Sequence, residues 1–268
     1  MAHYAYAEYL KSKSFTNSDE NADEESIHQE NTFLFPRDVQ PVDFLEKCKS
    51  DGINIRMNKG TTTCAFIYQG GIIVAVDSRA TAGPEIASST VMKIIEINSY
   101  MLGTMAGGAA DCSFWERYLA KDCRLYELKN GVRITVSSAS KILSNILRYY
   151  QGMGLSMGTM ICGHDIKGPA IYYVENDGVR FPTNLMSVGS GSTYAYGILD
   201  TMFRHDMTFE EAVDLGKRAI YHATYRDTMS GGIATVCHID QNGWKKICSI
   251  NVSELHDQYS TMDHYSVF

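Results

Sequence analysis

The sequence predicts an α+β fold in which antiparallel sheets carry paired helices on their outer faces. Three observations lead there. Strand-like and helix-like stretches come in blocks of strands, two helices, strands, two helices and strands, whereas βαβ units would interleave them singly. Neighbouring strand candidates are joined by short turns, Gln69-Gly70-Gly71, Glu175-Asn176-Asp177-Gly178 and Gln241-Asn242-Gly243, as in hairpins. The longest apolar runs, such as Ile72-Ile73-Val74-Ala75-Val76, are strand-sized and suit strands buried on both faces.

Taken in order, residues 1–60 hold little periodicity. Asp19-Glu20-Asn21-Ala22-Asp23-Glu24-Glu25 is an acidic run in a Ser/Asn/Gln-rich stretch, so residues 1–32 read as a solvated tail. Phe33-Leu34-Phe35-Pro36 and Phe44-Leu45 add a few apolar anchors. Thr62–Gln69 and Gly71–Ser78 form a hairpin, and Ala80–Pro84 is a loop of small residues. Val91–Ile97 and Tyr100–Met105 are two more strands. A helix opens at Ala106-Gly107-Gly108-Ala109-Ala110 and runs to about Asn130, with Phe114, Tyr118 and Leu125 on one face and Gly131 as its stop. A second spans roughly Ser137–Tyr150, with Ile142, Leu143, Ile146, Leu147 and Tyr150 inward. Strands return at Gly158–Cys162, Ala170–Val174 and Met186–Val188. Gly189-Ser190-Gly191-Ser192 leads into a helix near Thr193–Phe203, and the capping box Thr208-Phe209-Glu210-Glu211 starts one reaching about Asp227. Ile233–Ile239 and Trp244–Ile250 close the chain as a hairpin.

Composition narrows the function classes. The 268 residues, 44% of them hydrophobic, suffice for a sizeable core. A net charge of -7 without a basic block gives no footprint for nucleic acid. No apolar run is long enough to span a membrane, and the first ten residues lack the pattern of a signal peptide. The seven cysteines are scattered, without a Cys-x-x-Cys pair, and read as reduced thiols of a cytosolic or nuclear protein. Neither they nor the eight dispersed histidines show metal-ligand spacing, so no metal or cofactor is expected.

The chemistry starts from Lys59-Gly60-Thr61-Thr62-Thr63-Cys64-Ala65-Phe66. A threonine hydroxyl is a weak nucleophile that needs a base beside it. A threonine at a new N-terminus carries that base itself, its α-amine, whose ordinary pKa of about 7.7–8.0 leaves a useful fraction neutral near pH 7. Cutting Gly60–Thr61 would expose such an amine. Taken alone, the Thr run at the start of a strand is most often plain β-propensity.

The order and spacing of five further segments decide the matter: Asp77-Ser78-Arg79-Ala80-Thr81-Ala82-Gly83, Gly103-Thr104-Met105-Ala106-Gly107-Gly108-Ala109-Ala110-Asp111-Cys112, Gly152–Gly158, Ser187–Ser192, and Tyr225-Arg226-Asp227-Thr228-Met229-Ser230-Gly231-Gly232, together with the Thr run itself. Across about residues 58–258 the chain resembles the catalytic beta subunits of the eukaryotic proteasome core particle, of the chymotrypsin-like, beta type-5 kind. The resemblance implies the four-layer αββα sandwich of N-terminal-nucleophile hydrolases. It implies a propeptide over residues 1–60, removed by autolysis at Gly60–Thr61, and a catalytic domain over 61–268 with a short C-terminal tail. It implies a threonine endopeptidase that cuts unfolded polypeptides after bulky apolar residues. Its partners would be other beta subunits of the same and the opposite ring and the subunits of the alpha ring, in the cytoplasm and nucleus.

By the same resemblance Thr61 is the nucleophile. Lys93 is the cation that keeps the Thr61 amine neutral; two positive charges about 4 Å apart cost roughly 4 kcal/mol at an effective dielectric near 20. Asp77 pairs with Lys93. Gly107 donates its N–H to the oxyanion, at a helix N-terminus that favours negative charge. Ser190, Asp227 and Ser230 surround the nucleophile. Ala80, Val91, Ile95, Met105 and Ala109 line a roomy apolar pocket where a charged side chain would be left unpaired. Each residue also has a plainer reading: Lys93 as an edge lysine, Asp77 as a turn residue, Ser190 and Ser230 as cap and turn, Gly107-Gly108 as a tight turn. Cys64, Ile67, Met92, Ile233-Ala234-Thr235 and the tail Thr261–Phe268 depart from the family pattern and point to a divergent paralogue. The alternative to an active peptidase is a structural ring subunit that does not cut, and a lone amidase of the same fold stands behind both.

Overall fold

The computed structural model describes Ser50, residues 60–83 and residues 85–263, with side chains as far as Ser260. The solvated tail expected over residues 1–32, the apolar anchors after it and Cys48 lie outside the described residues. The described residues 60–83 and 85–263 belong to one compact unit.

In chain order the strands before the first helix are β1 (Thr62–Tyr68), β2 (Gly71–Val76), β3 (Ala80–Ala82), β4 (Glu85–Ser88), β5 (Ile94–Asn98), β6 (Met101–Thr104) and β7 (Ala106–Gly107). Helices α1 (Ala109–Asn130) and α2 (Val136–Tyr149) follow. Next come β8 (Met157–Asp165), β9 (Gly168–Glu175), β10 (Arg180–Thr183) and β11 (Leu185–Gly189), then α3 (Ser192–Met202) and α4 (Phe209–Arg226). The hairpin β12 (Ile233–Asp240) and β13 (Gly243–Asn251) leads into α5 (Val252–Asp263).

One sheet runs β11-β1-β2-β12-β13 and the other β10-β9-β8-β6-β5, with β7 added against β8; β3 and β4 pair separately. Successive residues of a strand point to opposite faces, and β1 and β2 use both. Cys64, Phe66, Tyr68, Ile73 and Ala75 face outward onto Leu199 of α3, Leu215 and Ala219 of α4 and Tyr259 of α5. Ala65, Ile72, Val74 and Val76 face inward, against Leu102, Met160, Cys162 and Ile171 of the second sheet. The outer face of that sheet, with Met101, Ile161 and Val174, packs on Cys112 and Leu119 of α1 and Leu143 and Leu147 of α2. Two sheets face to face with helices on both outer sides make the expected αββα sandwich.

Local signals set several boundaries. Thr208 Oγ1 accepts the Glu211 N–H while Glu211 reaches back to the Thr208 N–H, so the capping box is formed. Gly131 ends α1 in the left-handed conformation, its N–H on Glu127 O.

Other elements differ from expectation. Val91–Lys93 is not strand; the ladder begins at Ile94, after the Lys93 carbonyl has accepted the Met105 N–H. Ala106 and Gly107 do not open a helix but pair with Gly158 and Met157 of β8. Ala80–Ala82, expected as loop, pairs with β4. The short strands β4 and β10 and the helix α5 go beyond the expected elements. On α1 the buried face is Cys112, Glu116, Leu119 and Cys123, while Phe114, Tyr118 and Leu125 are exposed. Apolar residues on both sides of this helix leave periodicity unable to choose between them.

Glu116 is the odd member of that buried face. Its side chain is fully enclosed. Oε1 accepts the Thr159 hydroxyl at 2.6 Å. Oε2 has no partner among the described residues and faces Gly103, where a Cβ would collide with it. Burial pushes this carboxyl up to about 8, so it keeps its proton at neutral pH.

Candidate active site

Thr61 stands immediately before β1, buried, with the Gly60–Thr61 peptide bond intact. Gly60 is held on three sides. Its N–H donates to Thr81 Oγ1 at 3.0 Å. Its carbonyl oxygen accepts the Thr61 hydroxyl at 2.5 Å and Lys93 Nζ at 3.3 Å. A side chain has no room there, because a Cβ on Gly60 would run into Met229 Cβ and O. The nucleophile candidate thus touches the carbonyl group it is expected to attack, and a cation touches the same oxygen.

Asp77 follows β2, where the strand ends and the carboxylate turns inward. It is fully buried and collects four donors: Lys93 Nζ at 2.6 Å, Thr62 N at 2.9 Å, Gly231 N at 3.0 Å and Arg79 N at 3.2 Å. Burial pushes its pKa up; the Lys93 charge and the amide donors oppose that. Burial pushes the Lys93 ammonium below the ordinary lysine value, against the stabilising Asp77 charge. Removing either partner would strand a buried charge. The edge-lysine and turn-residue readings therefore fall: Lys93 and Asp77 are one buried pair 16 residues apart in sequence.

A second chain of hydrogen bonds approaches from the other side. The Thr61 N–H donates to Ser190 Oγ at 3.2 Å, and Ser190 Oγ donates to Asp227 Oδ2 at 2.6 Å. Asp227 caps the C-terminus of α4. The same Oδ2 accepts the Ser230 hydroxyl at 2.7 Å, and Ser230 Oγ also meets Thr62 Oγ1 at 2.7 Å. Thr62 is a member that sequence reasoning missed. Its only local signal was its place in the Thr run, which β-propensity already explained.

A cavity of about 340 Å³ opens beside Thr61. Ala80, Val91, Met105, Gly107 and Ala109 lie in its wall with Thr61 and Lys93. Ile95 does not; it lies on β5 and packs against the apolar cluster under α1. The strand expected over Val91–Ile97 starts only at Ile94, so Val91 and Ile95 do not share one strand face. Thr81, Gly108, Ala110 and Asp111 line the cavity as well, all but Asp111 adjacent in sequence to a residue already singled out. Gly107 has φ of 101°, and a Cβ there would come within 2.6 Å of Ser156 O, so only glycine fits. In this uncleaved chain the donors on Gly60 O are Lys93 and Thr61, and among the described residues Gly107 N makes no hydrogen bond to it.

Comparison with known proteins bears on this arrangement. The family profile described as "Proteasome subunit" matches residues 57–239. Proteasome subunit beta type-8 of Homo sapiens is 55% identical over 227 residues, 84% of this chain and 82% of the relative. Proteasome subunit beta type-5 of Dictyostelium discoideum is 56% identical over 230 residues, 85% of each. Proteasome subunit beta type-5-A of Arabidopsis thaliana is 55% identical over 228 residues, 85% of this chain and 82% of the relative.

Proposed function

The chain belongs to the proteasome subunit family, and from that premise we propose that it is a threonine endopeptidase of the proteasome core, with Thr61 as nucleophile and chymotrypsin-like preference. The observation that carries this reading is the meeting of the Thr61 hydroxyl and the Lys93–Asp77 pair on the Gly60 carbonyl, at the edge of the cavity.

The uncleaved chain is a zymogen. Its Thr61 nitrogen is an amide that donates to Ser190 and cannot accept a proton. Self-cleavage starts when Thr61 Oγ attacks the Gly60 carbonyl carbon and gives up its proton to a water acting as base. The C–N bond breaks as that water returns the proton to the Thr61 nitrogen, which leaves as the free amine, and an ester joins Gly60 to Oγ. Water hydrolyses the ester, releasing residues 1–60 and restoring the hydroxyl. Lys93 faces the oxygen on which negative charge grows.

In the mature chain the amine takes the hydroxyl proton, and Lys93 disfavours its protonation. The Gly107 N–H donates to the substrate oxyanion, next to the N-terminus of α1. Ser190, Asp227 and Ser230 hold the amine side of Thr61. Ala80, Val91, Met105 and Ala109 give the pocket apolar walls, and Met105 is flexible enough to admit Leu, Tyr, Phe or Trp. A charged side chain there would be desolvated without a partner.

The chain works assembled with other proteasome subunits, on unfolded polypeptides, in the cytoplasm and nucleus. Among the described residues no helix is long and apolar enough to cross a membrane. The exposed apolar face of α1, with Phe114, Tyr118, Leu125 and Leu128, suits a chain packed against neighbours. The test is Thr61→Ala in an assembled particle that carries no other form of this subunit. Cleavage after bulky apolar residues is lost, and the N-terminus stays upstream of residue 61. Undiminished cleavage would rule out Thr61 as the nucleophile, and an N-terminus upstream of Thr61 in the assembled wild type would instead make this a structural subunit.

A further inference from the structure

The strand that carries Gly107 is fastened in an unusual way. Asp111 is the third residue of α1, and Gly108 is its N-cap. A carboxylate at that position ordinarily reaches back to the N-cap N–H. Here the Gly108 N–H donates instead to Ser156 O, at 2.6 Å. The carboxylate takes the other backbone group of the same residue: Ser156 N donates to Asp111 Oδ2 at 3.1 Å. Ser156 is thus tied to the head of α1 through both its N–H and its C=O. Its carbonyl is also the group against which Gly107 is wedged, so the position of Ser156 sets the position of the Gly107 backbone. On its other side Ser156 follows two glycines, Gly152 and Gly154, with φ of 86° and 79° and nothing within 4 Å of where their Cβ atoms would be, and Leu155, whose carbonyl accepts Asn176 Nδ2 at 3.1 Å.

We propose that Asp111 is a positioning residue for the oxyanion donor, holding Ser156 so that the Gly107 N–H points at the reacting carbonyl. The inference rests on the reading of Thr61 and Gly107 given above. Asp111 takes no proton and touches no reacting atom in that chemistry. It lies in the cavity wall beside Gly107 and Gly108, so direct contact with substrate is the rival role, and kinetics separates the two.

The experiment compares Asp111→Ala, Asp111→Asn, Asp111→Glu and Thr61→Ala in assembled particles carrying each as the sole form of this subunit. A displacement of about 1 Å at a reacting centre costs on the order of 10²-fold, and loss of an oxyanion donor costs about 10²–10³-fold. Asp111→Ala should therefore lower kcat roughly ten- to a hundredfold. KM should stay within about twofold, because the apolar walls of the pocket are untouched. Release of residues 1–60 should not be faster than in wild type. Asp111→Asn keeps an acceptor of the right length and should recover kcat to within about threefold. Asp111→Glu keeps the charge but moves the acceptor by one methylene, and should be slow. The Asn and Glu pair decides the question if Asp111→Ala fails to assemble. A raised KM with unchanged kcat in Asp111→Ala, or equal rates for the Asn and Glu variants, would overturn the proposal. Activity retained in Thr61→Ala would overturn the underlying reading instead.

Discussion

Replacing Glu116 by Gln should stabilise the domain at neutral pH, by an amount that grows with pH. The carboxyl is fully buried between α1 and the second sheet, takes one hydrogen bond from Thr159 and leaves Oε2 without a partner among the described residues. Its pKa rises from the ordinary 4.5 to about 8. In the unfolded chain Glu116 loses its proton above pH 4.5; in the folded chain it keeps the proton until about pH 8. Between those values the folded state binds one proton more, so stability falls as pH rises. The contribution of the protonated carboxyl is fully present below pH 4.5, is lost progressively from there to about pH 8, and changes no further above it. Each pH unit is worth about 1.4 kcal/mol, so the loss at pH 7 is roughly 3 kcal/mol. Gln has nearly the same shape, accepts from Thr159 and does not titrate. The assay is urea unfolding of wild type and Glu116→Gln in the uncleaved chain at pH 5, 6, 7 and 8. The stability difference should widen in favour of Gln across the series and level off near pH 8. A difference that stays constant with pH would refute the reasoning, because it would mean that Glu116 ionises in the folded state at its ordinary pKa.

Two further outcomes concern the site. Lys93→Ala should abolish cleavage, by on the order of 10²–10⁴ in rate. It leaves Asp77 buried without its cation and the Thr61 amine free to hold a proton; wild-type turnover in the assembled particle would return Lys93 to a structural role. Gly60→Ala should slow or block release of residues 1–60, because the added methyl would meet Met229 at the bond to be cut; N-terminal sequencing that finds Thr61 exposed at the normal rate would refute this.

What the sequence determined by itself is what short-range physics controls. The unbroken apolar run of β2 specified two buried faces, since a strand points successive side chains to opposite sides. The capping box at Thr208 and the left-handed stop at Gly131 are fixed by residues within one turn of each other. The block order of elements specified the layers. Thr61, Asp77, Lys93, Ser190, Asp227 and Ser230 were named through a resemblance spread over about residues 58–258, and the structure brings them together. What only the tertiary structure decided is whatever depends on a partner far along the chain. Ala106 and Gly107 are strand rather than helix because β8, about fifty residues later, supplies their ladder. Val91–Lys93 is not strand, and Ile95 packs beneath α1 instead of lining the pocket, because β6 and α1 set where β5 begins and which cluster it meets. The buried side of α1 was set by which face met the sheet; both sides are apolar enough, and the one chosen encloses Glu116. The Thr62 hydroxyl joins the active-site network because Ser230, 168 residues away, is folded against it. A hydrophobic pattern carries no record of such meetings, because it states which side chains must leave water and not which neighbours they will find there.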